Sequence, residues 1–237
     1  MNALYVLALL ASLGATTGTN TFEDDFRRAQ TLSTTPGENG WTIKDNSPAG
    51  TPTYTVGSTG CVLTLAATSE AEVVTLYHND VLVFPINDPG LVTVEMFISV
   101  SGIDSTTTLV AGLASTQNDT ADSVAHNAWF RIQGSTSTSN LLTETDDATT
   151  DDDDNATGST LSTTLKKLVI SFRYGLDDVR FSVDNARVSS TNTFNMEAIP
   201  GGTVLQPFIQ LQKSSGTGTP SVTIRRIKIT YNYSYGS

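Results

Sequence analysis

The sequence predicts an all-β fold in which two antiparallel sheets pack as a sandwich or jelly roll. Three observations lead to this class. Short runs alternate apolar and polar residues with period two, as in 91–100 (LVTVEMFISV), which is the pattern of half-buried strands. Turn-forming residues such as the Pro-Gly-Gly at 200–202 separate the runs. No ten-residue amphipathic helix appears after residue 20, and no internal repeat is evident.

The strand candidates follow one another along the chain, and two of them carry local irregularities. The candidates are 61–67, 72–78, 81–84, 91–100, 107–114, 128–133, 140–144, 168–174, 179–183, 203–212 and 221–231. Asp184-Asn185 predicts a tight hairpin, because both residue types accept left-handed backbone conformations. In the last candidate the apolar phase slips at Arg225-Arg226, which predicts a β-bulge there.

Composition limits the classes of partner. With 237 residues, 38% of them hydrophobic, the chain can form one domain with a substantial core. The formal charge of −11 repels phosphate backbones, so we expect no nucleic-acid partner. The basic residues occur as scattered doublets, from which we predict no basic patch. The single cysteine, Cys61, cannot form an internal disulfide and is expected to be buried.

The first twenty residues form a separate segment, with the sandwich predicted at 21–237. Residues 3–15 (ALYVLALLASLGA) are apolar but too short to span a membrane comfortably. A signal peptide fits the length, yet no Lys or Arg precedes Arg27. We favour an apolar arm or helix that docks against a neighbour. Its predicted assembly contacts are Leu4, Val6, Leu7, Leu9, Leu10 and Leu13.

The sequence contains no recognisable catalytic constellation, so we predict a protein that is not an enzyme. His78 and His126 lack a second ligand at metal spacing, and no Gly-x-Ser-x-Gly elbow occurs. A retaining glycosidase needs two carboxyl groups about 5 Å apart. The glucanase-like Glu-x-Asp-x-x-Glu strand is absent, since Glu95 is alone in its strand and Glu144 with Asp146 falls at the edge of a predicted loop.

The most acidic segment is 144–155 (ETDDATTDDDDN), with seven carboxylates in twelve residues. One interpretation is a Ca²⁺ loop, because Ca²⁺ takes six to eight oxygen ligands. Its ligands would be Asp146, Asp147, Asp151 and Asp153. The other interpretation is a solvated hairpin connection without a cofactor.

Several segments together resemble a known family. The segment 24–29 (DDFRRA) followed by Trp41 resembles the opening "DxFxRA…W" of concanavalin A-like sandwich domains in tailed-phage structural proteins. The segments 128–131 (AWFR), 145–147 (TDD), 178–188 (DVRFSVDNARV) and 205–213 (LQPFIQLQK) continue in the same order. The resemblance covers about 21–231 and implies a lectin- or glucanase-type jelly roll. It also implies a virion location, in the capsid or the tail.

The leading hypothesis is therefore a non-enzymatic virion structural protein, a capsid decoration, cement or tail component. It would self-assemble through the N-terminal arm and bind a major capsid or tail protein. The alternative is a carbohydrate-binding, lectin-like module or a secreted adhesin that contacts cell-surface glycans. Its stacking aromatics would be Trp41, Trp129, Tyr54 and Tyr77.

Overall fold

The computed structural model describes residues 17–28, 30–79, 83–86 and 92–234. In this part of the chain sixteen strands form two antiparallel sheets of eight strands each, with two short 3₁₀ turns and no α-helix. In spatial order the first sheet contains β14 (Ala186–Val188), β13 (Arg180–Val183), β12 (Lys166–Ser171), β7 (Thr93–Ser101), β16 (Ser221–Ser234), β4 (Gly60–Thr64) and β3 (Thr53–Gly57), and β1 (Thr17–Asp24) also pairs with β16. The second contains β11 (Asp151–Thr160), β10 (Asn140–Asp146), β9 (Asn127–Gln133), β8 (Thr107–Ala114), β15 (Val204–Lys213), β5 (Glu72–Tyr77) and β2 (Thr42–Asp45), and β6 (Phe84–Pro85) also pairs with β15.

The core lies between the two sheets and uses one face of each strand. In β7 every second residue is buried, from Val94 to Val100. The facing set in β8 includes Leu109 and Leu113, which belong to the same buried cluster. Cys61 is also in this cluster and is fully buried, where burial raises the pKa of its thiol to about 12. The predicted two-sheet sandwich is confirmed.

Both predicted irregularities are present. Asp184 (φ 48°) and Asn185 (φ 70°) connect β13 to β14, whose residues Val183 and Ala186 are paired. The pairing of β16 with β7 shifts between Ile224 and Arg226. Turn chemistry and the phase of the apolar residues thus identify local geometry from a few consecutive residues.

Four strands of the structure, β1, β2, β3 and β11, are not among the strands predicted from the sequence. Strand β11 begins with Asp151, and no residue in it is buried. It is the edge of the second sheet and pairs only with β10, so it needs no apolar face, and charges on an edge discourage pairing with other chains. The hairpin connection predicted within 144–155 is therefore shorter than the acidic segment, because only 147–150 separate β10 from β11.

The boundary of the N-terminal segment also differs from the prediction. Strand β1 begins at Thr17 and pairs with β16 from Thr17 opposite Ser234 to Asp24 opposite Ile227. Residues 17–20 therefore belong to the sandwich. The six predicted arm contacts, from Leu4 to Leu13, lie outside the described residues, as do positions 81 and 82 of the candidate strand 81–84. Among the helices of the described part, none has the length and apolar character to cross a membrane.

Asp24 joins the opening segment 24–29 to Trp41. Its Oδ2 accepts hydrogen bonds from Trp41 Nε1 at 2.9 Å, Asn39 Nδ2 at 3.0 Å and Gln30 Nε2 at 3.1 Å. Its Oδ1 accepts a bond from the backbone N–H of Phe26 at 2.7 Å. Trp41 and Phe26 are fully buried. Asp24, Phe26 and Trp41, which belong to the segments that carry the family resemblance, thus stabilise the fold by buried hydrogen bonds.

A buried ion pair fixes the connection between β4 and β5. The Nζ of Lys213 lies 3.7 Å from Glu72 Oε2, and both side chains are completely buried. Lys213 also donates to the carbonyl oxygens of Ala66, Thr68 and Gly218. Glu72 in turn accepts a bond from the N–H of Ala66 at 2.7 Å. Each charge is therefore satisfied, as burial requires.

Candidate functional site

The aromatic residues predicted to stack on a glycan do not form a platform. Trp41 and Trp129 are 0% exposed and Tyr77 is 8% exposed. Tyr54 is half-buried in β3 and packs against the core. Stacking needs an exposed ring face, so the assignment is wrong for Trp41, Trp129 and Tyr77, and Tyr54 lies on the other sheet.

Trp129 and Tyr77 are buried because a connection folds over the outer face of the second sheet. We call residues 115–126, between β8 and β9, the cover loop. Its Ala121 and Val124 close a second apolar cluster, separate from the core, whose members on the sheet are Tyr77, Val110, Ala114, Trp129 and Phe208. The Trp129 and Phe208 rings stack with centroids 6.0 Å apart.

Gly112 makes this ring packing possible. It lies directly between Trp129 and Phe208 in the strand register. A Cβ at Gly112 would come within 2.6 Å of the Trp129 Cα and 2.2 Å of the Ala128 carbonyl oxygen. Since these are backbone atoms, no side-chain adjustment could relieve the contact. Only glycine fits at this position.

Polar contacts fasten the cover loop to the sheet. Asp122 Oδ1 lies 2.8 Å from Arg131 Nη1. Gln210 Nε2 donates to the carbonyl oxygen of Asn118 at 2.7 Å, and Lys44 Nζ donates to Gln117 Oε1 at 3.0 Å. The loop therefore closes the half of the outer face that contains the aromatic rings.

Under the edge of the cover loop, Arg131 and Glu144 form a buried pair. Arg131 Nη1 lies 3.1 Å from Glu144 Oε2 and 3.7 Å from Asp154 Oδ1. Burial raises the pKa of Glu144 from its usual 4.5 to about 7, although the Trp129 indole and the Arg131 guanidinium oppose this change. Glu144 is only 2% exposed. Its carboxyl group thus has the pKa of a general acid near neutrality but is covered in this conformation.

Glu144 and Asp146 both lie in β10, and Asp146 is its last residue, next to the turn 147–150. They are two residues apart and thus share the outward face of the strand. Burial raises the pKa of Asp146, while the N–H of Ala148 and nearby His126 act against the increase. The third acid of the glucanase-like pattern would fall at position 149, which is a threonine.

Asp147, one of the aspartates predicted as calcium ligands, has its carboxylate occupied by backbone N–H groups. Asp147 is buried, and its carboxylate accepts bonds from the N–H groups of Thr149, Thr150 and Ala198 at 2.9, 2.6 and 3.0 Å. It therefore organises the turn between β10 and β11. Across the described ranges, no group of three or more His, Cys, Asp or Glu side chains is placed to hold a metal ion. Calcium binding stays a prediction.

The other half of the outer face is open. Gln133, Thr108, Gln212 and Val73 are direct cross-strand neighbours in β9, β8, β15 and β5. Each follows or precedes a core residue in its strand, so each points outward. They line a cleft of about 290 Å³, which we call the open cleft, together with Ala71, Ser105, Thr106, Thr107, Ser135, Lys213 and Ser214.

The open cleft offers amides and hydroxyls as hydrogen-bonding groups. An amide supplies two donors and an acceptor oxygen, and a hydroxyl supplies both functions. Lys213 lines the cleft, but its charged side chain is buried and engaged elsewhere. Sequence reasoning missed Gln133 and Gln212, because single polar residues in separate strands carry no pattern until the strands are paired.

Comparisons with solved structures identify the fold. No protein-family model matches the sequence, and no curated protein matches it. The chain is similar to the carbohydrate recognition domain of Emp47p, with a TM-score of 0.55, 12% identity, and coverage of 83% of this chain and 90% of that chain. It is also similar to a glycoside hydrolase family 16 endo-glucanase from Bacteroides ovatus in complex with G4G3G-2F-DNP, with a TM-score of 0.58, 12% identity, and coverage of 88% and 99%.

A third similar structure is the potassium-bound form of the Emp46p carbohydrate recognition domain, with a TM-score of 0.53, 12% identity, and coverage of 80% and 88%. At these identities the likeness concerns the fold. None of these structures connects the chain with virion proteins. The chain therefore has the concanavalin A-like jelly-roll fold that is found in lectins and in family 16 glycoside hydrolases.

Proposed function

We propose that the protein binds carbohydrate through the open cleft. The observation that carries this proposal is the row of outward polar side chains, Gln133, Thr108 and Gln212, across three adjacent strands. Similar solved structures support it, since two are carbohydrate recognition domains and one is an endo-glucanase in complex with G4G3G-2F-DNP.

The chemistry of the cleft indicates the class of glycan. Amide groups pair well with the vicinal hydroxyls of a sugar, and directly opposed residues lie about 5 Å apart at their Cβ atoms. The lining residues of the open cleft include no exposed charge and no aromatic ring. We therefore expect neutral glycans and weak affinity, with a Kd on the order of 1 mM, which corresponds to about −4 kcal/mol.

Titration of the ¹⁵N-labelled protein with neutral oligosaccharides, followed by NMR, tests the proposal. Amide signals of residues 105–108, 133–135 and 212–214 should shift together and reach saturation. A double variant, Q133A with Q212A, should weaken binding at least fivefold. The matched control N140A removes an exposed amide outside the cleft and should bind as the wild type does. Binding by the double variant at full affinity would overturn the assignment.

Glycoside hydrolysis is a second candidate, favoured by one observation. Glu144, with a pKa of about 7, shares the outward face of β10 with Asp146, and two carboxyl groups are what retaining and inverting glycosidases require. The carboxyl group would first need access to substrate from beneath the cover loop. Release of reducing ends from β-glucans by the wild type but not by E144Q would support hydrolysis, and inactivity of the wild type would refute it.

The virion structural role stays a prediction from the sequence resemblance. It depends on residues 1–16, which lie outside the described part, and its test is a deletion that stops at residue 16. A longer deletion would remove β1, which pairs with β16, and so would confuse assembly with folding. Unchanged particle binding after the deletion would contradict the arm hypothesis. Intact mass measurement of the natural protein tests the location, because a shortened chain indicates secretion.

A further inference from the structure

The bulge in β16 places two consecutive arginines on the same side of the first sheet. Ile224 and Ile227 are both buried in the core, and only Arg225 and Arg226 lie between them. In a regular strand one of these arginines would point into the core. The extra residue of the bulge allows both to face outward.

A third arginine and two apolar side chains complete a cleft at this point. Arg27, which follows β1, lines a cavity of about 260 Å³ together with Arg225, Arg226 and Asp25. Phe97 of β7 and Leu165 contribute its apolar surface. Leu165 is 39% exposed, whereas nearly all other large hydrophobic side chains of the described residues are buried or half-buried. We call this cavity the arginine cleft.

The register of the sheet explains how these groups meet. Arg226 in β16 is directly opposite Phe97 in β7, and its guanidinium carbon lies 5.7 Å from the centre of the Phe97 ring. This distance is within the range of a cation–π contact. The ring therefore holds one guanidinium in place beside the apolar surface.

The charges of the cleft are only partly balanced. Arg27 Nε lies 3.6 Å from Asp25 Oδ2, and Arg226 Nε lies 2.9 Å from Glu23 Oε1. Arg225 forms no ion pair with any described residue. Three arginines thus face two carboxylates, a local excess of one positive charge on a chain whose formal charge is −11. Arg225 is exposed, so its guanidinium is available to an anionic ligand that lies against the apolar surface.

We propose that the arginine cleft binds a carboxylate carried on a six-membered ring. A guanidinium group matches the two oxygens of a carboxylate, while Phe97 and Leu165 can cover one face of the ring. A uronic acid unit of a glycan and an aromatic carboxylate share this chemistry. The arginine cleft lies on the first sheet and the open cleft on the second, so this inference does not depend on the proposed function.

NMR titrations with sodium glucuronate and sodium benzoate test the inference, with glucose and sodium chloride as neutral and ionic-strength controls. Either carboxylate should shift the amide signals of residues 97, 165 and 225–227 to saturation. Tighter binding of glucuronate identifies a glycan source, and tighter binding of benzoate identifies an aromatic acid. The absence of a saturable shift with both carboxylates, or an equal shift with chloride, would overturn the proposal.

Two variants make the test specific. R225Q should weaken binding of the better carboxylate about tenfold, and D25N, which removes an opposing negative charge, should tighten it about threefold. R173Q is the matched control, because Arg173 is exposed just after β12 of the same sheet and does not line the cleft. An equal loss of affinity in R225Q and R173Q would show that affinity depends only on the net charge of the protein, and would refute the site.

Discussion

Replacing Asp24 with alanine should destabilise the sandwich more than any surface substitution near it. The carboxylate of Asp24 accepts four hydrogen bonds, three at one oxygen and one at the other. Gln30 and Asn39 are partly or fully exposed and can turn to water when it is removed. The N–H groups of Trp41 and Phe26 cannot do so, because both residues are fully buried.

The expected loss follows from those two buried donors. A hydrogen bond to a charged group contributes about 1.5–3 kcal/mol, and a buried donor left without a partner bears its full desolvation penalty. Two such donors give a decrease of about 3–6 kcal/mol in the free energy of unfolding of D24A. D24N keeps one acceptor oxygen and should fall between D24A and the wild type.

Urea unfolding followed by tryptophan fluorescence measures this difference, since Trp41 is part of the network. D25A is the matched control, because Asp25 is exposed and, among the described residues, its carboxylate is bonded only to Arg27. D25A should change stability by less than about 0.5 kcal/mol. A loss below about 1 kcal/mol in D24A, or equal losses in both variants, would refute the assignment of Asp24 as the link to Trp41.

Three further predictions concern buried charge and the hairpin. The pKa of Glu144 rises from 4.5 to about 7 on folding, so the folded state holds an extra proton between these pH values. The free energy of unfolding of the wild type, measured in urea, should therefore fall relative to that of E144Q as the pH rises through this window, by on the order of 3 kcal/mol. Parallel pH profiles of the two proteins would contradict the burial argument. K213M leaves the charge of the buried Glu72 unpaired and should lower the free energy of unfolding by about 3–5 kcal/mol. The double variant K213M/E72Q should recover part of this stability in thermal unfolding, and no recovery would argue against the pair. At the hairpin, Asn185 has φ 70°, so N185G should be neutral or slightly stabilising, while N185V should lower the free energy of unfolding by about 1–2 kcal/mol. Calorimetry measures the difference, and equal stabilities of the two variants would contradict the left-handed turn.

Much of the scaffold could be predicted because it depends on neighbours along the chain. Alternation in 91–100 identifies which residues of β7 enter the core, since a strand turns successive side chains to opposite faces. Asp184-Asn185 identifies a turn by its backbone preferences, and the phase slip at Arg225-Arg226 identifies a bulge. Each inference needs only a few consecutive residues. Strand β11 escaped prediction because an edge strand has no apolar face to reveal it.

The sequence by itself thus determined the fold class, the core faces and the local irregularities, whereas the tertiary structure decided which outward faces are covered and which distant residues meet. Trp129 was a candidate for glycan stacking and is buried, because the cover loop closes over its side of the sheet. Gln133 and Gln212 became neighbours only when Thr108 paired with both. Arg27 and Arg225, far apart in the chain, line one cleft because β1 pairs with β16. Periodicity reports the side of a strand to which a residue points, but strand order and loop placement arise from long-range packing, which no short segment encodes.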